Sequence, residues 1–138
     1  MENLPPRLLQ MKQVTNDLHT ILVVDDDPDI SMMLKLMLEY KGYRVMILER
    51  TEDIIKTLKE HNISGVIIDM LLSGISGTDL CAEIRQNHKT TDCPILMISA
   101  HPNGKEICLD AGADDFIAKP FDMNDILSKI GSLVNVPK

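Results

Sequence analysis

Five polar residues follow short apolar runs of the sequence, and their types suit phosphoryl chemistry. They are the acids Asp25, Asp26 and Asp69, the hydroxyl residue Ser99 and the base Lys119. Clustered carboxylates raise one another's pKa unless a cation neutralises them, and Mg²⁺ with oxygen ligands does so readily. No His or Cys accompanies the acids, which argues against zinc. A lysine and a hydroxyl match a phosphoryl group, and a carboxylate can itself be the nucleophile.

Each of these residues lies at the end of a stretch that predicts a β-strand. The strands are predicted at residues 21–24, 44–48, 66–68, 95–98 and 116–118. An amphipathic helix, with apolar residues at helical spacing, is predicted after each strand. Short apolar strands that alternate with helices are typical of a parallel sheet with helices on both faces. The sequence therefore predicts an α/β fold, a three-layer doubly wound (βα)5 sandwich around a five-stranded parallel sheet.

The carboxyl ends of parallel strands share one edge of a sheet, and ligands of open α/β sheets bind where the strand order reverses. In the order 2-1-3-4-5 this reversal lies between strands one and three. Asp25 and Asp26 would then lie close to Asp69. Acids after strands also have a simpler explanation as turn or helix-capping residues, as Asp27 or Asp29 can be. The coincidence of acids, hydroxyl and lysine in this order favours a shared site.

Composition and charge narrow the class of protein. The 138 residues fit one domain, and 14 basic against 21 acidic residues give a net charge of −7. Such a surface repels nucleic acid and anionic membranes, so we expect no direct contact with either. No apolar run is long enough to span a bilayer. The cysteines Cys81, Cys93 and Cys108 are odd in number and lack C-x-x-C spacing, which indicates a reducing, cytoplasmic location.

Residues 1–19 differ in pattern from the rest of the chain and are predicted to form an N-terminal extension. A short helix from about Pro6 to Leu18 would carry an apolar stripe of Leu8, Met11 and Leu18. Such a helix could pack on the domain, pair with a partner or fray. The chain is either a whole protein or part of a longer one.

Four segments of the chain together resemble one protein family. They are VVDDDP at 23–28, VIID at 66–69, MISA at 97–100 and AGADDFIAKPF at 111–121. In order and spacing they are similar to the receiver domain of two-component response regulators. The resemblance covers about residues 20–135 and implies a receiver domain at 20–138 with the flavodoxin-like fold of chemotaxis regulators. No single segment is specific, but the set is.

The resemblance implies a phosphorylation site at the sheet edge. Asp69 would be the phosphoacceptor, and Lys119 would pair with the phosphate ahead of Pro120, often through a cis peptide bond. A magnesium ion, or Mn²⁺ in its place, would complete the site, with Asp26 its more direct ligand. The metal ligands would be Asp25, Asp26, Asp69 and the backbone carbonyl of Leu71.

The resemblance also implies a switch beside this site. The Ser99 hydroxyl would reach the phosphoryl group, and the ring of Phe116 would turn inward when Ser99 moves; a static core position is the simpler explanation for Phe116. Leu71 and His101 flank the site at positions that tune phosphate lifetime in the family. Ser73 stands where the family often has proline, which predicts a more mobile loop.

The function implied is a signalling switch and not a turnover enzyme. The domain would accept its phosphoryl group from a sensor histidine kinase or a phosphotransfer protein, and would assist its own phosphorylation and dephosphorylation. No organic cofactor is expected. Phosphorylation would reshape the surface of the fourth helix, fifth strand and fifth helix, where a downstream protein or a second copy of the chain would bind.

Three other functions stay open at this point. A constitutive interaction module could have this fold, although degenerate members usually lose the acids or the lysine, which this chain keeps. A haloacid-dehalogenase-like phosphatase would use Asp-x-Asp after the first strand, as at Asp25 to Asp27, but the chain lacks room for a substrate cap. A flavin protein would need a Ser/Thr/Gly-rich phosphate cradle after that strand, which is absent.

Overall fold

Five strands and five helices alternate along residues 19–135, the part of the chain that the structure, a computed structural model, describes. The strands are β1 Thr20–Val24, β2 Arg44–Ile47, β3 Gly65–Asp69, β4 Ile95–Ser99 and β5 Asp115–Ala118. The helices are α1 Pro28–Tyr40, α2 Ile54–Glu60 after a 3₁₀ turn Thr51–Asp53, α3 Gly77–Gln86, α4 Gly104–Asp110 and α5 Met123–Val134. The helix predicted between Pro6 and Leu18 lies outside the described residues.

The strands form one parallel sheet in the order β2-β1-β3-β4-β5, so the predicted fold is confirmed. Val24 of β1 pairs with Ile68 of β3, which brings the residues that follow them, Asp25 and Asp69, side by side. Ser99 of β4 pairs with Ala118 of β5, next to Lys119. The register alone therefore gathers the candidate residues at the carboxyl edge of the sheet.

Helices cover both faces of the sheet, and this explains why the central strands are apolar apart from residues at their ends. Alternate strand residues point to opposite faces: Leu22 packs in a core with α2, α3 and α4, whereas Val23 packs in a second core with α1 and α5. All five residues of β3 and of β4 are buried. Between residues 19 and 135, no helix combines the length and apolar character needed to cross a membrane.

Side-chain caps start α1, which follows Asp25 and Asp26, and α3, which follows the loop after β3. Asp27 caps α1 by accepting from the backbone N–H of Asp29 at 2.9 Å, so one of the two predicted capping acids has this role. Ser76 caps α3 by accepting from the N–H of Thr78 at 3.2 Å. Each cap fixes where its helix begins, and so fixes the path of the loop that leads to it.

Arg85, near the end of α3, binds the opposite edge of the sheet from the candidate site. Its guanidinium donates to the carbonyls of Thr91, Cys93 and Gly112 at 2.9, 2.6 and 2.8 Å and to the carboxylate of Asp114 at 2.8 Å. The planar fork of Arg suits several acceptors at once. Arg85 thus ties α3 to the segments that precede β4 and β5.

We predict that Arg85→Ala lowers the free energy of unfolding by about 2–3 kcal/mol, because acceptors around the guanidinium lose their donor. Arg85→Lys keeps the charge without the fork and should recover only part of the loss. Urea unfolding measures both. The control is Arg50→Ala: the Arg50–Glu52 pair is exposed, and its loss should leave the stability essentially unchanged. An Arg85→Ala protein as stable as Arg50→Ala would contradict the assignment.

Candidate functional site

Asp69 is the centre of the candidate site. It is the last residue of β3, and its side chain is only 9% exposed. One carboxylate oxygen accepts from the ammonium group of Lys119 at 2.7 Å, and the other accepts from the backbone N–H of Leu71 at 3.0 Å. A buried carboxylate is therefore held between a cation and a backbone donor, with Lys119 reaching it from beyond β5.

Asp25 lies against Asp69, and its carboxyl is only partly satisfied. Oδ1 accepts from the N–H of Asp27 at 2.9 Å, whereas Oδ2 is buried and finds no donor among the described residues. The pKa of Asp25 is raised to about 6, mainly by burial and also by the adjacent Asp69, against the lowering effects of the Asp27 N–H and of Lys119. Two carboxyls in contact need a proton or a cation to offset their repulsion.

Asp26 is exposed and turns to the loop after β3, where its carboxylate accepts from the backbone N–H of Ser73. Within residues 19–135, no three acidic, histidine or cysteine side chains gather into a ready-made metal centre. The structure thus brings Asp25, Asp69 and Lys119 together directly and joins Asp26 to the same site through the loop. The buried Oδ2 of Asp25 has no hydrogen-bond donor in the described part of the chain and is free to bind a cation. Because Mg²⁺ prefers oxygen ligands, these residues fit Mg²⁺.

The loop after β3 is tied to itself and to Asp69. Leu71 forms an isolated antiparallel bridge with Ser76, and the N–H of Gly77 donates to the carbonyl of Met70 at 2.8 Å. A Cβ on Gly77 would lie only 2.1 Å from the carbonyl oxygen of Asp69. Only glycine therefore allows α3 to begin this close to the candidate phosphoacceptor, a role that the sequence did not reveal.

Ser99 and Phe116 lie on either side of one glycine. The Ser99 hydroxyl oxygen accepts from the backbone N–H of His101 at 2.8 Å, which leaves its own proton able to bind another acceptor. A Cβ on Gly104 would lie 3.0 Å from both the Ser99 hydroxyl and the Phe116 ring. The half-buried Phe116 ring packs beside the core that contains Met97. The two predicted switch residues are therefore neighbours, with Gly104 leaving the space between them.

Two further backbone features support the site. Lys119 donates its backbone N–H to the carbonyl of Ser99 at 2.9 Å, and the Lys119–Pro120 peptide bond is cis, as the resemblance implies. The buried hydroxyl of Ser31, on α1, donates to the carbonyl of Asp25 at 3.1 Å. Ser31 was not predicted from the sequence. It could have been found as a polar residue on the face of an amphipathic helix that is otherwise apolar and buried.

A family model for the response regulator receiver domain matches residues 21–131. The chain belongs to this family. The match confirms the family predicted from the four segments, and with it the interpretation of the domain as a phosphorylation-dependent switch of two-component systems.

Known response regulators are similar to this receiver domain in sequence and in structure. The phosphate regulon transcriptional regulatory protein PhoB of Pseudomonas aeruginosa is 31% identical over 117 residues, which cover 83% of this chain and 51% of PhoB. The response regulator TrrA of Thermotoga maritima, solved in complex with Mg(2+)-BeF, is 32% identical with a TM-score of 0.74, over 83% of this chain and 98% of that one.

A third relative is the receiver domain of the sensor histidine kinase PA1611 of Pseudomonas aeruginosa, solved with a magnesium ion coordinated in its active site cleft. It is 25% identical with a TM-score of 0.78, over 86% of this chain and 98% of that one. The chain spans about half the length of the curated relatives that it matches.

We predict that Asp25→Asn stabilises the metal-free receiver at neutral pH. Folding raises the Asp25 pKa from 3.8 to about 6, so its stabilising contribution is full below pH 3.8 and is lost as the pH rises through about 6. The gain near pH 7.5 should be on the order of 1 kcal/mol, since solvent screens this partly exposed group. Urea unfolding in EDTA should show this gain shrinking near pH ~4.

The control for this prediction is Glu83→Gln, which removes one exposed acid from α3 and should leave stability unchanged within about 0.5 kcal/mol at either pH. Equal effects of the two substitutions would mean that the gain comes from the lower net negative charge of the protein and not from the position of Asp25. A less stable Asp25→Asn protein at neutral pH would contradict the predicted strain between Asp25 and Asp69.

Proposed function

We propose that Asp69 accepts the phosphoryl group through which this receiver domain switches. The observation that carries the proposal is the buried Asp69 carboxylate, held 2.7 Å from the ammonium group of Lys119 at the carboxyl edge of the sheet. A lysine in this position offsets negative charge as a phosphoryl group arrives. A carboxylate needed only for stability would not require a second carboxyl, that of Asp25, beside it.

The proposed reaction is an in-line transfer from phosphohistidine of a sensor histidine kinase or a phosphotransfer protein. A carboxylate oxygen of Asp69 forms the new bond to phosphorus, while the bond from phosphorus to the histidine nitrogen breaks and the imidazole leaves. Lys119 stabilises the phosphoryl oxygens by charge, and the Ser99 hydroxyl proton is available to one of them. The chain thus accepts and later loses one phosphoryl group, and is not a turnover enzyme.

The proposed metal ligands are Asp25, Asp26, Asp69 and the backbone carbonyl of Leu71, with Mg²⁺ as the metal and Mn²⁺ as an alternative. The unsatisfied Oδ2 of Asp25 and its contact with Asp69 support this set. The magnesium in the TrrA and PA1611 structures supports it by analogy. The ion would neutralise the clustered carboxylates and the phosphoryl oxygens together.

The proposed output is a change in the surface formed by α4, β5 and α5. Ser99 ends β4, and Phe116 lies in β5, so movement of the hydroxyl toward Asp69 changes the space beside the Phe116 ring. A downstream protein or a second copy of the chain would bind this surface in the cytoplasm. PhoB is a transcriptional regulatory protein, but only half of it is covered by this chain, so the proposal here is limited to protein contacts.

We predict that acetyl phosphate adds one phosphoryl group to the protein only when Mg²⁺ is present, because the carboxylates otherwise repel the donor. Asp69→Asn should abolish the gain. Intact-protein mass spectrometry measures both. Asp29→Asn, which changes an exposed acid at the start of α1, is the control and should be phosphorylated normally. No mass gain in folded protein would overturn the role of Asp69 and favour a constitutive interaction module.

We predict that Ser99→Ala uncouples phosphorylation from the output surface. The variant should still accept a phosphoryl group, but the change in hydrogen exchange at β5 and α4 should fall at least several-fold, because no hydroxyl moves to the phosphate. Ser99→Thr keeps the hydroxyl and should retain the change. An undiminished response in phosphorylated Ser99→Ala protein would show that Ser99 is not the switch.

A further inference from the structure

The outer face of α1 carries an unusual share of the exposed apolar side chains. Six large hydrophobic residues are exposed within the described part of the chain; three of them lie on this face, and a fourth lies at the start of α5. Met32, Leu36 and Tyr40 on α1 are 50, 59 and 80% exposed, and Met123 at the start of α5 is 37% exposed. A concentration of this kind marks a surface that binds something.

These side chains line a single groove of about 520 Å³ that runs along α1 and reaches the start of α5. We call it the α1 groove; its lining consists of Asp29, Met32, Met33, Leu36, Met37, Tyr40 and Met123. Methionines dominate the lining, and their flexible thioethers adapt to apolar side chains of varied shape. The groove therefore suits a short apolar segment.

The chain enters the domain at one end of this groove. The carbonyl of His19 accepts from the N–H of Arg44 at 3.0 Å, and the His19 ring lies 6.5 Å from the ring of Tyr43. Tyr43 comes only three residues after Tyr40, where α1 ends. His19, the first described residue, therefore lies near the C-terminal end of α1, to which Tyr40 belongs.

The segment that precedes His19 has both the length and the chemistry to fill the groove. The 13 residues of α1 span about 20 Å, and 18 residues reach farther than this even at the rise of a helix. Four leucines and a methionine lie between residues 4 and 18 of the segment: Leu4, Leu8, Leu9, Met11 and Leu18. Because the segment is tethered, its effective concentration at the groove exceeds that of any dilute partner.

We propose that residues 4–18 bind in the α1 groove of their own domain, with their leucines covering Met32, Leu36 and Tyr40. The occupant is thus a segment of this chain, and not a second copy or another protein. The proposal does not rest on the phosphoacceptor role of Asp69, since it concerns a face of α1 and uses no residue of the phosphorylation site.

A single tryptophan can test this, because the chain contains none. In the full chain, Leu8→Trp should give blue-shifted emission that acrylamide quenches several-fold less than free indole, at every protein concentration. Gln10→Trp is the matched control within the segment. It replaces a polar residue and should be quenched more strongly than the tryptophan at position 8.

A second substitution locates the groove. Adding Leu36→Glu to the Leu8→Trp protein should shift the emission to the red and raise quenching several-fold, whereas Leu109→Glu, at an exposed apolar residue of α4, should change neither. Unchanged far-UV circular dichroism and an unchanged urea unfolding midpoint in both double variants would show that the fold is intact. Solvent-exposed emission in Leu8→Trp, or emission unaffected by Leu36→Glu, would overturn the proposal. A blue shift that grows with protein concentration would overturn it too, in favour of a second copy.

Discussion

The contact between the carboxyls of Asp25 and Asp69 is the constraint on which the rest of the site depends. Like charges in a partly buried place repel, and burial and this neighbour together raise the Asp25 pKa to about 6. The protein offsets part of this repulsion with the Lys119 ammonium group and with backbone N–H donors from Asp27 and Leu71. Part of the repulsion remains, because Oδ2 of Asp25 has no hydrogen-bond donor between residues 19 and 135. A bound cation would neutralise this remaining negative charge.

The fold tolerates this strain because its opposite edge is tightly bonded. Two apolar cores hold the helices on the sheet, and Arg85 joins α3 to the starts of β4 and β5 through four acceptors. Local opening free energies differ across a domain, and functional segments lie at the less stable end. The carboxyl edge, with Asp25 and Asp69, and the opposite edge, held by Arg85, are the two ends of the same sheet. A change at Asp69 therefore moves the carboxyl edge relative to an end of the sheet that stays in place.

Space is as important as charge for a switch of this kind. Gly77 lets α3 begin against the backbone of Asp69, and Gly104 leaves the gap shared by Ser99 and Phe116. Packed interiors transmit displacement because they contain few voids. A hydroxyl that moves toward the phosphoryl site therefore changes what the neighbouring ring can occupy, and β5 carries that change to the surface. The α1 groove is lined mainly by α1, which packs on the other face of the sheet from Phe116.

The alternation of strands and helices, the parallel sheet and the residues at its carboxyl edge could all be predicted from the amino-acid sequence. Hydrophobic periodicity indicates which residues are buried and so locates the strands. Because every strand of a parallel sheet ends at the same edge, the proximity of Asp25, Asp69 and Lys119 could be predicted without the structure. The hydrogen bond from the Ser73 amide to Asp26, and the space that Gly77 and Gly104 leave for Asp69 and Ser99, became visible only in the folded domain. These contacts depend on loop paths and helix positions between segments far apart in the chain, which no local pattern of residues encodes.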